Sequence, residues 1–229
     1  MSAKIGILFD LDGTLIHVPE NFFEVLDKII RDVIFTLTNK EVSKEELYAF
    51  WRSGRKFDDF LRNWEILDTE DFWKRFDEQD LEERKKMIER GEIFLFKDAE
   101  NLLNDLKNDE NLLLGIISNT PASIANIELE LINLPYNEIF TEIYLLGTEL
   151  QHKAKPQPDS ILEFMKKYQI SNKKMYIIGD TDLDIKAGQN ADINSVLIMR
   201  KHNKTIKSMK NVKPDFIIRN MIDVKKIIY

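Results

Sequence analysis

The sequence predicts an α/β protein built on a doubly wound parallel sheet, with an all-helical segment inserted near its start. Three observations carry this prediction. Short runs of nearly continuous Ile, Leu and Val recur along the chain, as in parallel strands that are covered on both faces. Helix-like stretches alternate with these runs. The exception is residues 18–94, which contain no convincing strand.

The apolar runs and the stretches between them give a Rossmann-like order of elements. Strands are predicted over residues 5–10, 112–118, 142–146, 175–179, 195–199 and 215–218. Helices are predicted over residues 98–107, 122–131, 158–168 and 183–190. A strand followed by a helix at each step requires crossover connections, which is why the sheet is expected to be parallel.

The inserted segment reads as a small helical domain. Apolar residues recur at helical spacing from Phe22 to Leu37, and Ser43 with Glu46 forms a capping box that starts a second helix. Two more helices are predicted over residues 56–64 and 70–90, the last ended by a glycine. We therefore expect a core domain of residues 1–17 and 95–229 and a helical domain of residues 18–94. Its three tryptophans form either a bundle core or part of a pocket.

Composition excludes several classes of site. The 229 residues include no cysteine and three histidines, so a bound metal would have oxygen ligands, which favours Mg²⁺. A net charge of −7 argues against nucleic-acid binding. No apolar stretch is long enough to span a membrane. We expect a cytoplasmic monomer or small homo-oligomer. The basic segment of residues 200–213 is a solvated surface or an anion or partner patch.

Two acids follow the first strand directly. Asp10 and Asp12 are two residues apart, so both carboxylates can face the same pocket beyond the carboxyl end of the sheet. Gly13 and Thr14 suit a tight turn there. Alone, the pattern could also be a surface turn with two solvated acids.

Two other places in the chain carry groups that suit an anion. Ser118 and Asn119 follow the second long strand, where hydroxyl, amide and backbone N–H groups can cradle a phosphate or simply cap the next helix. Lys155 precedes Pro156 in a rigid turn that fixes the lysine, although Lys153 lies nearby and either could be a surface residue.

A third strand end carries three acids. Asp180, Asp182 and Asp184 follow the strand over residues 175–179. Such a cluster needs a cation or hydrogen-bond donors, because unpaired carboxylates would repel one another.

Each motif is ambiguous alone, but their order at successive strand ends resembles the haloacid dehalogenase-like hydrolase superfamily. The resemblance covers essentially the whole chain. It includes DxDGT from Asp10, the pair Ser118-Asn119, the pair Lys155-Pro156 and GDTxxD from Gly179 to Asp184. The helical insert is similar to a cap domain of this superfamily. Ala154 and Asp192 stand where the family often has glycine, and neither change touches the expected chemistry.

The resemblance implies a role for each motif residue. Asp10 would be the nucleophile and, with Asp180 and the backbone carbonyl of Asp12, a ligand of Mg²⁺. The side chain of Asp12 would be the general acid and base. Lys155 would offset the charge of Asp10 and, with Ser118 and Asn119, bind the phosphoryl oxygens. Two further roles complete the expectation: Asp184 would hold a metal-bound water or Lys155, and Thr14 with Gly13 would shape the turn and orient Asp12. Asp182 has no family role and is expected to be solvated.

The function implied is a Mg²⁺-dependent phosphatase that acts on a small phosphorylated metabolite. A sugar phosphomutase of the same fold and a non-catalytic binding or regulatory protein remain open as alternatives. A true dehalogenase is disfavoured because it needs no acid at position 12. A phosphonate hydrolase would need a lysine in the insert, for which Lys56 is available.

The substrate is chosen, in related capped enzymes, by the cap. The stretch from Phe50 to Lys56 breaks the helical pattern, so Arg52 or Arg55 could bind a substrate carboxylate or second phosphate, as in phosphoglycolate. The alternative is an ordinary turn between helices with solvated arginines.

Overall fold

The computed structural model describes residues 4–200 and 212–229, apart from the side chains of residues 148 and 149. Most of the basic segment predicted over residues 200–213 lies outside these ranges. The strands are β1 (Ile5–Phe9), β2 (Ile16–His17), β3 (Phe94–Leu95), β4 (Leu112–Ser118), β5 (Glu142–Leu145), β6 (Met175–Gly179), β7 (Asn194–Ile198) and β8 (Phe216–Ile218).

The α-helices alternate with the strands outside the inserted segment. They are α1 (Phe22–Thr38), α2 (Lys44–Phe50), α3 (Phe57–Asn63), α4 (Thr69–Glu89), α5 (Lys97–Leu106), α6 (Ala122–Leu131), α7 (Tyr136–Ile139), α8 (Asp159–Tyr168), α9 (Asp182–Asn190) and α10 (Lys225–Ile228). Short 3-10 turns cover Gly54–Lys56, Thr148–Lys153, Asn172–Lys174 and Met221–Val224.

The main sheet has β1 near its centre. Within the described ranges it contains six strands in the order β5-β4-β1-β6-β7-β8, and every neighbouring pair is parallel. Phe9 lies level with Ile116 of β4 on one side and with Ile178 of β6 on the other. The three strands therefore end together, which brings the residues that follow them to one edge of the sheet.

Both faces of the sheet are buried, as the continuous apolar strands predict. Alternate residues of β1 serve the two sides: Ile7 and Phe9 join one apolar cluster with α5, whereas Leu8 joins another with α8. Gly115 of β4 makes room for this packing, because a Cβ there would lie 2.6 Å from the Leu8 side chain. The predicted fold class is confirmed.

The inserted segment contains α1 to α4 and a core of its own. Phe50 packs its ring against Trp64 and Trp73 in a cluster that is separate from those of the sheet. Ser43 and Glu46 make the capping box at the start of α2. After α4, Gly91 takes a φ of +69° and ends the helix. The tryptophans Trp64 and Trp73 are thus buried bundle residues.

A short antiparallel pair joins the two parts of the chain. β2 and β3 pair Ile16 with Leu95 and His17 with Phe94, where the chain leaves the sheet and where it returns. The boundaries predicted after residue 17 and before residue 95 lie at this pair, and the division into domains stays a prediction. Among the described residues, no helix is both long enough and apolar enough to cross a membrane.

Candidate active site

The residues that follow β1, β4 and β6 meet at one edge of the sheet. The backbone N–H of Asp10 still bonds to the carbonyl of Ile178, so Asp10 leaves the sheet beside the acids that follow β6. Asp10 and Asp180 are each 6% exposed, and Asp184 is fully buried. Burial of three carboxylates in one place is costly unless each has a partner.

Lys155 is one such partner, and its ammonium group lies between two of these acids. Its Nζ donates to Asp10 Oδ1 at 2.5 Å and to Asp184 Oδ1 at 2.6 Å. Burial disfavours the charged ammonium, but Asp10 and Asp184 outweigh burial and raise the pKa of Lys155 above its usual value. The lysine therefore stays charged. Sequence reasoning chose Lys155 over Lys153, and the structure places Lys155 in the cluster.

The three acids form a group that suits a divalent cation. One oxygen of each of Asp10, Asp180 and Asp184 lies within 4.8 Å of the others. Burial and repulsion from Asp184 raise the pKa of Asp10 to about 7, although Lys155 opposes this rise. Burial and the charges of Asp10 and Asp184 raise the pKa of Asp180 well above its ordinary value. A lone ammonium does not balance three carboxylates, and an all-oxygen donor set fits Mg²⁺.

Gly13 is required by the position of Asp180. Its φ is +79°, and a Cβ at this residue would lie 2.4 Å from Asp180 Oδ2. Thr14 is fully buried and its hydroxyl donates to Asp10 Oδ2 at 3.3 Å. The turn predicted after β1 thus allows Asp180 to approach Gly13, and its Thr14 fixes Asp10. Thr14 contacts Asp10 rather than Asp12, which sequence reasoning had expected it to orient.

The polar residues after β4 divide into two groups. Asn119 places its amide on the backbone of Lys155, donating to its carbonyl at 3.1 Å and accepting from its N–H at 2.8 Å. Its side chain therefore positions the lysine loop, and its predicted role in phosphate binding would fall to other groups. Ser118 donates to Thr120 Oγ1 at 3.1 Å, and Thr120 in turn donates to Asp12 Oδ2 at 3.1 Å.

Asp12 has a partner that the motifs did not predict. Arg84 of α4 binds both of its carboxylate oxygens, with Nη1 3.1 Å from Oδ1 and Nη2 2.9 Å from Oδ2. Arg84 is 3% exposed, and it also binds Asp80 at 3.0 Å and Glu128 of α6 at 2.9 Å. The guanidinium thus connects α4 of the inserted segment to Asp12, three residues after the end of β1.

Glu128, the partner of Arg84 on α6, has a raised pKa. Burial raises the pKa of Glu128 to about 8, and Arg84 only partly opposes this rise. A sequence signal for Glu128 was available: it lies four residues after Ile124 on the buried face of α6, where a carboxylate is unusual. No comparable signal marked Arg84, whose spacing from Asp80 is that of an ordinary surface ion pair.

The predicted specificity loop lies against α8 and α9. Arg52 Nη2 is 3.3 Å from Asp182 Oδ1, and Arg55 Nη2 is 2.7 Å from Asp159 Oδ1. The expectation that Asp182 is solvated was wrong, because it is 2% exposed and also accepts from Lys186 at 2.8 Å. The loop is thus held by the first residues of α9 and α8, Asp182 and Asp159. The pairing with Arg52 satisfies the buried charge of Asp182, which the sequence pattern had assigned to water.

Comparison with known proteins agrees with this geometry. The model of a haloacid dehalogenase-like hydrolase family matches residues 7–198. The chain belongs to this family. The resemblance read from the four motifs is confirmed, and so is the expectation that the protein is a hydrolase.

Similar proteins cover the full length of the chain. It is 27% identical over 222 residues to a pyrophosphatase PpaX of Oceanobacillus iheyensis, which spans 97% of this chain and 95% of the relative. It is 26% identical over 225 residues to a phosphoglycolate phosphatase of Aquifex aeolicus, spanning 96% and 95%. The crystal structure of a predicted phosphoglycolate phosphatase of Haemophilus somnus has a TM-score of 0.64 at 24% identity and covers 100% of both chains. The chain is thus a hydrolase of this family that is similar to phosphatases along nearly its whole length.

Proposed function

We propose that this hydrolase is a Mg²⁺-dependent phosphatase that cleaves a small phosphomonoester through an aspartyl-phosphate on Asp10. The observation that carries the proposal is the contact of the buried Asp10 with Lys155 at 2.5 Å, beside two further buried acids. A surface turn or a binding domain has no need of such an arrangement, because the uncompensated charge lowers its stability.

Asp10 is suited to attack phosphorus. One of its oxygens is held by Lys155 and the other by Thr14, so the carboxylate is fixed in direction before substrate arrives. Attack on a phosphate dianion is opposed by repulsion between like charges. Lys155 reduces that repulsion and is placed to bind a phosphoryl oxygen.

Mg²⁺ would be held by Asp10, Asp180 and the backbone carbonyl of Asp12, with Asp184 beside them. When bound, it would neutralise charge on the phosphoryl oxygens and offset the remaining carboxylates. The raised pKa values of Asp10 and Asp180 support this assignment, since a divalent cation is what would favour their ionised forms.

Asp12 is assigned the proton transfers. As an acid it would protonate the leaving oxygen of the ester, and as a base it would take a proton from the water that hydrolyses the aspartyl-phosphate. Its side chain is 14% exposed, in contrast to the nearly closed surroundings of Lys155, so it lies at the open side of the cluster. An acid with access to the leaving group is what the reaction needs.

The substrate class rests on the relatives and on the loop from Arg52 to Arg55. The two relatives are named for pyrophosphate and phosphoglycolate, and each of these compounds carries a second anionic group. Either arginine could bind such a group by exchanging its present carboxylate partner for the substrate. Small phosphomonoesters that carry a carboxylate are therefore the first substrates to test.

The test is release of inorganic phosphate from a panel of phosphomonoesters and pyrophosphate, with Mg²⁺ and with EDTA. We expect turnover that requires Mg²⁺ and is abolished in Asp10→Asn. Metal-independent turnover, or full activity of Asp10→Asn, would contradict the proposal. A phosphomutase would instead convert a sugar phosphate to its isomer with little release of phosphate, so the same reactions are followed by NMR for isomerisation.

A further inference from the structure

Arg84 connects helix α4 to Asp12 through an unusually complete set of contacts. Its two terminal nitrogens bind the two oxygens of Asp12, and its third nitrogen binds Asp80 one helical turn earlier. Nη1 also reaches both oxygens of Glu128, at 2.9 Å and 3.1 Å. The guanidinium lies over the ring of Phe22, with 4.5 Å from its carbon to the ring centroid.

These contacts fix Arg84 more firmly than Asp12 itself. The buried acids Asp80 and Glu128 accept hydrogen bonds from the guanidinium, and the ring of Phe22 covers one of its faces. Asp12 follows β1 in a turn, and its side chain is steadied by Arg84 and by the hydroxyl of Thr120. A planar fork that grips both oxygens of a carboxylate sets its orientation as well as its position.

We propose that Arg84 is a positioning residue that sets the direction of the Asp12 carboxyl for proton transfer to the leaving group. The proton is carried on Oδ1, to which Arg84 donates once, and its transfer to the leaving oxygen leaves the carboxylate that the fork holds by both oxygens. Through Arg84, the placement of α4 against α6 determines where the acid points. This inference rests on the proposed function, because it takes Asp12 to be the general acid. It assigns Asp80 and Glu128 the task of holding Arg84, without contact with the reacting atoms.

A positioning role of Arg84 makes the loss of activity depend on the leaving group, which a merely structural role would not do. An alkyl phosphate such as 2-phosphoglycolate loses an alkoxide, which needs a proton, whereas 4-nitrophenyl phosphate loses a phenolate that does not. The value of kcat/KM reports the steps up to the departure of this group. A misdirected Asp12 should therefore lower kcat/KM for the alkyl phosphate far more than for the aryl phosphate.

The variant to test is Arg84→Lys, which keeps the charge but loses the fork. We expect kcat/KM for the alkyl phosphate to fall about tenfold or more beyond any fall for the aryl phosphate. Combining it with Asp12→Asn should cost little more than Asp12→Asn alone, because both changes remove the same proton transfer. Arg75→Lys is the matched control, since Arg75 forms the equivalent pair with Asp71 on exposed α4 surface.

Equal falls on both substrates, or losses that multiply with Asp12→Asn, would overturn the proposal. If Arg84→Lys fails to fold, the same comparison is made with Arg84→Gln combined with Asp80→Asn and Glu128→Gln, which replaces Arg84 together with the two acids that hold it. Absence of Mg²⁺-dependent phosphate release by the wild-type protein on every substrate of the panel would overturn the proposed function as well, and so differs from a failure of this inference alone.

Discussion

Lys155 donates to Asp10 at 2.5 Å and to Asp184 at 2.6 Å, so one buried ammonium joins the acid after β1 to an acid of α9. Asn119 fixes the backbone of the lysine from a third strand end. The position of Asp10 therefore depends on elements far apart in sequence. The stability of the protein and its activity should both depend on Lys155.

Replacement of Lys155 by Met should affect both properties. The change leaves Asp10 and Asp184 buried without their shared cation, so the free energy of unfolding should fall by about 3–5 kcal/mol in metal-free buffer. Phosphate release should fall at least about a hundredfold. Denaturant unfolding and steady-state kinetics measure the two effects. Lys153→Met, two residues earlier, is the control; a similar loss of activity there would point to the wrong lysine.

Comparison of Gly13→Ala with Gly91→Ala distinguishes the effect of a contact with Asp180 from the effect of backbone strain. Gly13 and Gly91 both have positive φ, so backbone strain alone should lower the free energy of unfolding by roughly 1–2 kcal/mol when Ala replaces either residue. Only at Gly13 would the Cβ meet a neighbour, Asp180 Oδ2 at 2.4 Å, whereas nothing lies within 4 Å at Gly91.

Gly13→Ala should therefore weaken Mg²⁺ activation, whereas Gly91→Ala should not. The measurement is the Mg²⁺ concentration that gives half-maximal activity, alongside thermal unfolding of both variants. Equal activation by Mg²⁺ in the two variants would show that the approach of Asp180 to this turn has no bearing on the metal.

Glu128 should give the protein a pH-dependent stability. Its pKa is about 8 in the folded protein against an ordinary value of 4.5. Between these values the folded state holds a proton that the unfolded state has lost, so the free energy of unfolding should fall as pH rises from about 4.5 to about 8. In Glu128→Gln, which cannot ionise, this part of the slope should be missing.

Denaturant unfolding across that pH range, in EDTA, measures the slope. The exposed Glu130→Gln on the same helix is the control and should keep the wild-type slope. Because Asp10 has a raised pKa and contributes a slope of the same sign, only the difference between wild type and Glu128→Gln is diagnostic. A slope unchanged by Glu128→Gln would mean that Arg84 keeps Glu128 ionised.

Arg52 and Arg55 allow the specificity hypothesis to be tested with one loop. Arg52 is the better candidate, because its partner Asp182 follows Asp180 by two residues, whereas Arg55 pairs with Asp159 and its side chain is 62% exposed. Arg52→Ala should raise KM for phosphoglycolate about tenfold or more and leave KM for 4-nitrophenyl phosphate nearly unchanged. Arg55→Ala is the control. If neither variant alters KM for any substrate, the loop does not select the substrate.

Most motif residues could be predicted because they lie at the end of an apolar strand. Strand pattern fixes which edge of the sheet Asp10 and Asp180 share. Lys155 follows no strand directly and was predicted from the rigid turn before Pro156 and from the family resemblance. The turn at Gly13 and the end of α4 at Gly91 could also be predicted from the sequence, because glycine is the residue that most readily adopts a positive φ. For these elements local sequence decides local structure.

Arg84 could not be predicted for a physical reason. Helix α4 carries two acid–arginine pairs at the same spacing, Asp71 with Arg75 and Asp80 with Arg84, and both look like surface pairs. Only the rotation of α4 against α6 buries the second pair, and it contacts Asp12 across 72 positions of sequence. The burial of Asp182 by Arg52 depends in the same way on packing between distant elements.

Phosphorylation of Asp10 is the step on which the proposed function rests, and trapping the phosphoryl group detects it. Asp12→Asn is the variant to use, because loss of the base slows hydrolysis of the intermediate, and 4-nitrophenyl phosphate supplies a leaving group that needs no acid. The reaction is quenched in acid after rapid mixing with Mg²⁺, and the peptides are analysed by mass spectrometry. The account predicts one phosphoryl group on Asp10, absent from the Asp10→Asn, Asp12→Asn double variant. Phosphate release by an enzyme whose Asp10 is replaced by Asn would contradict it.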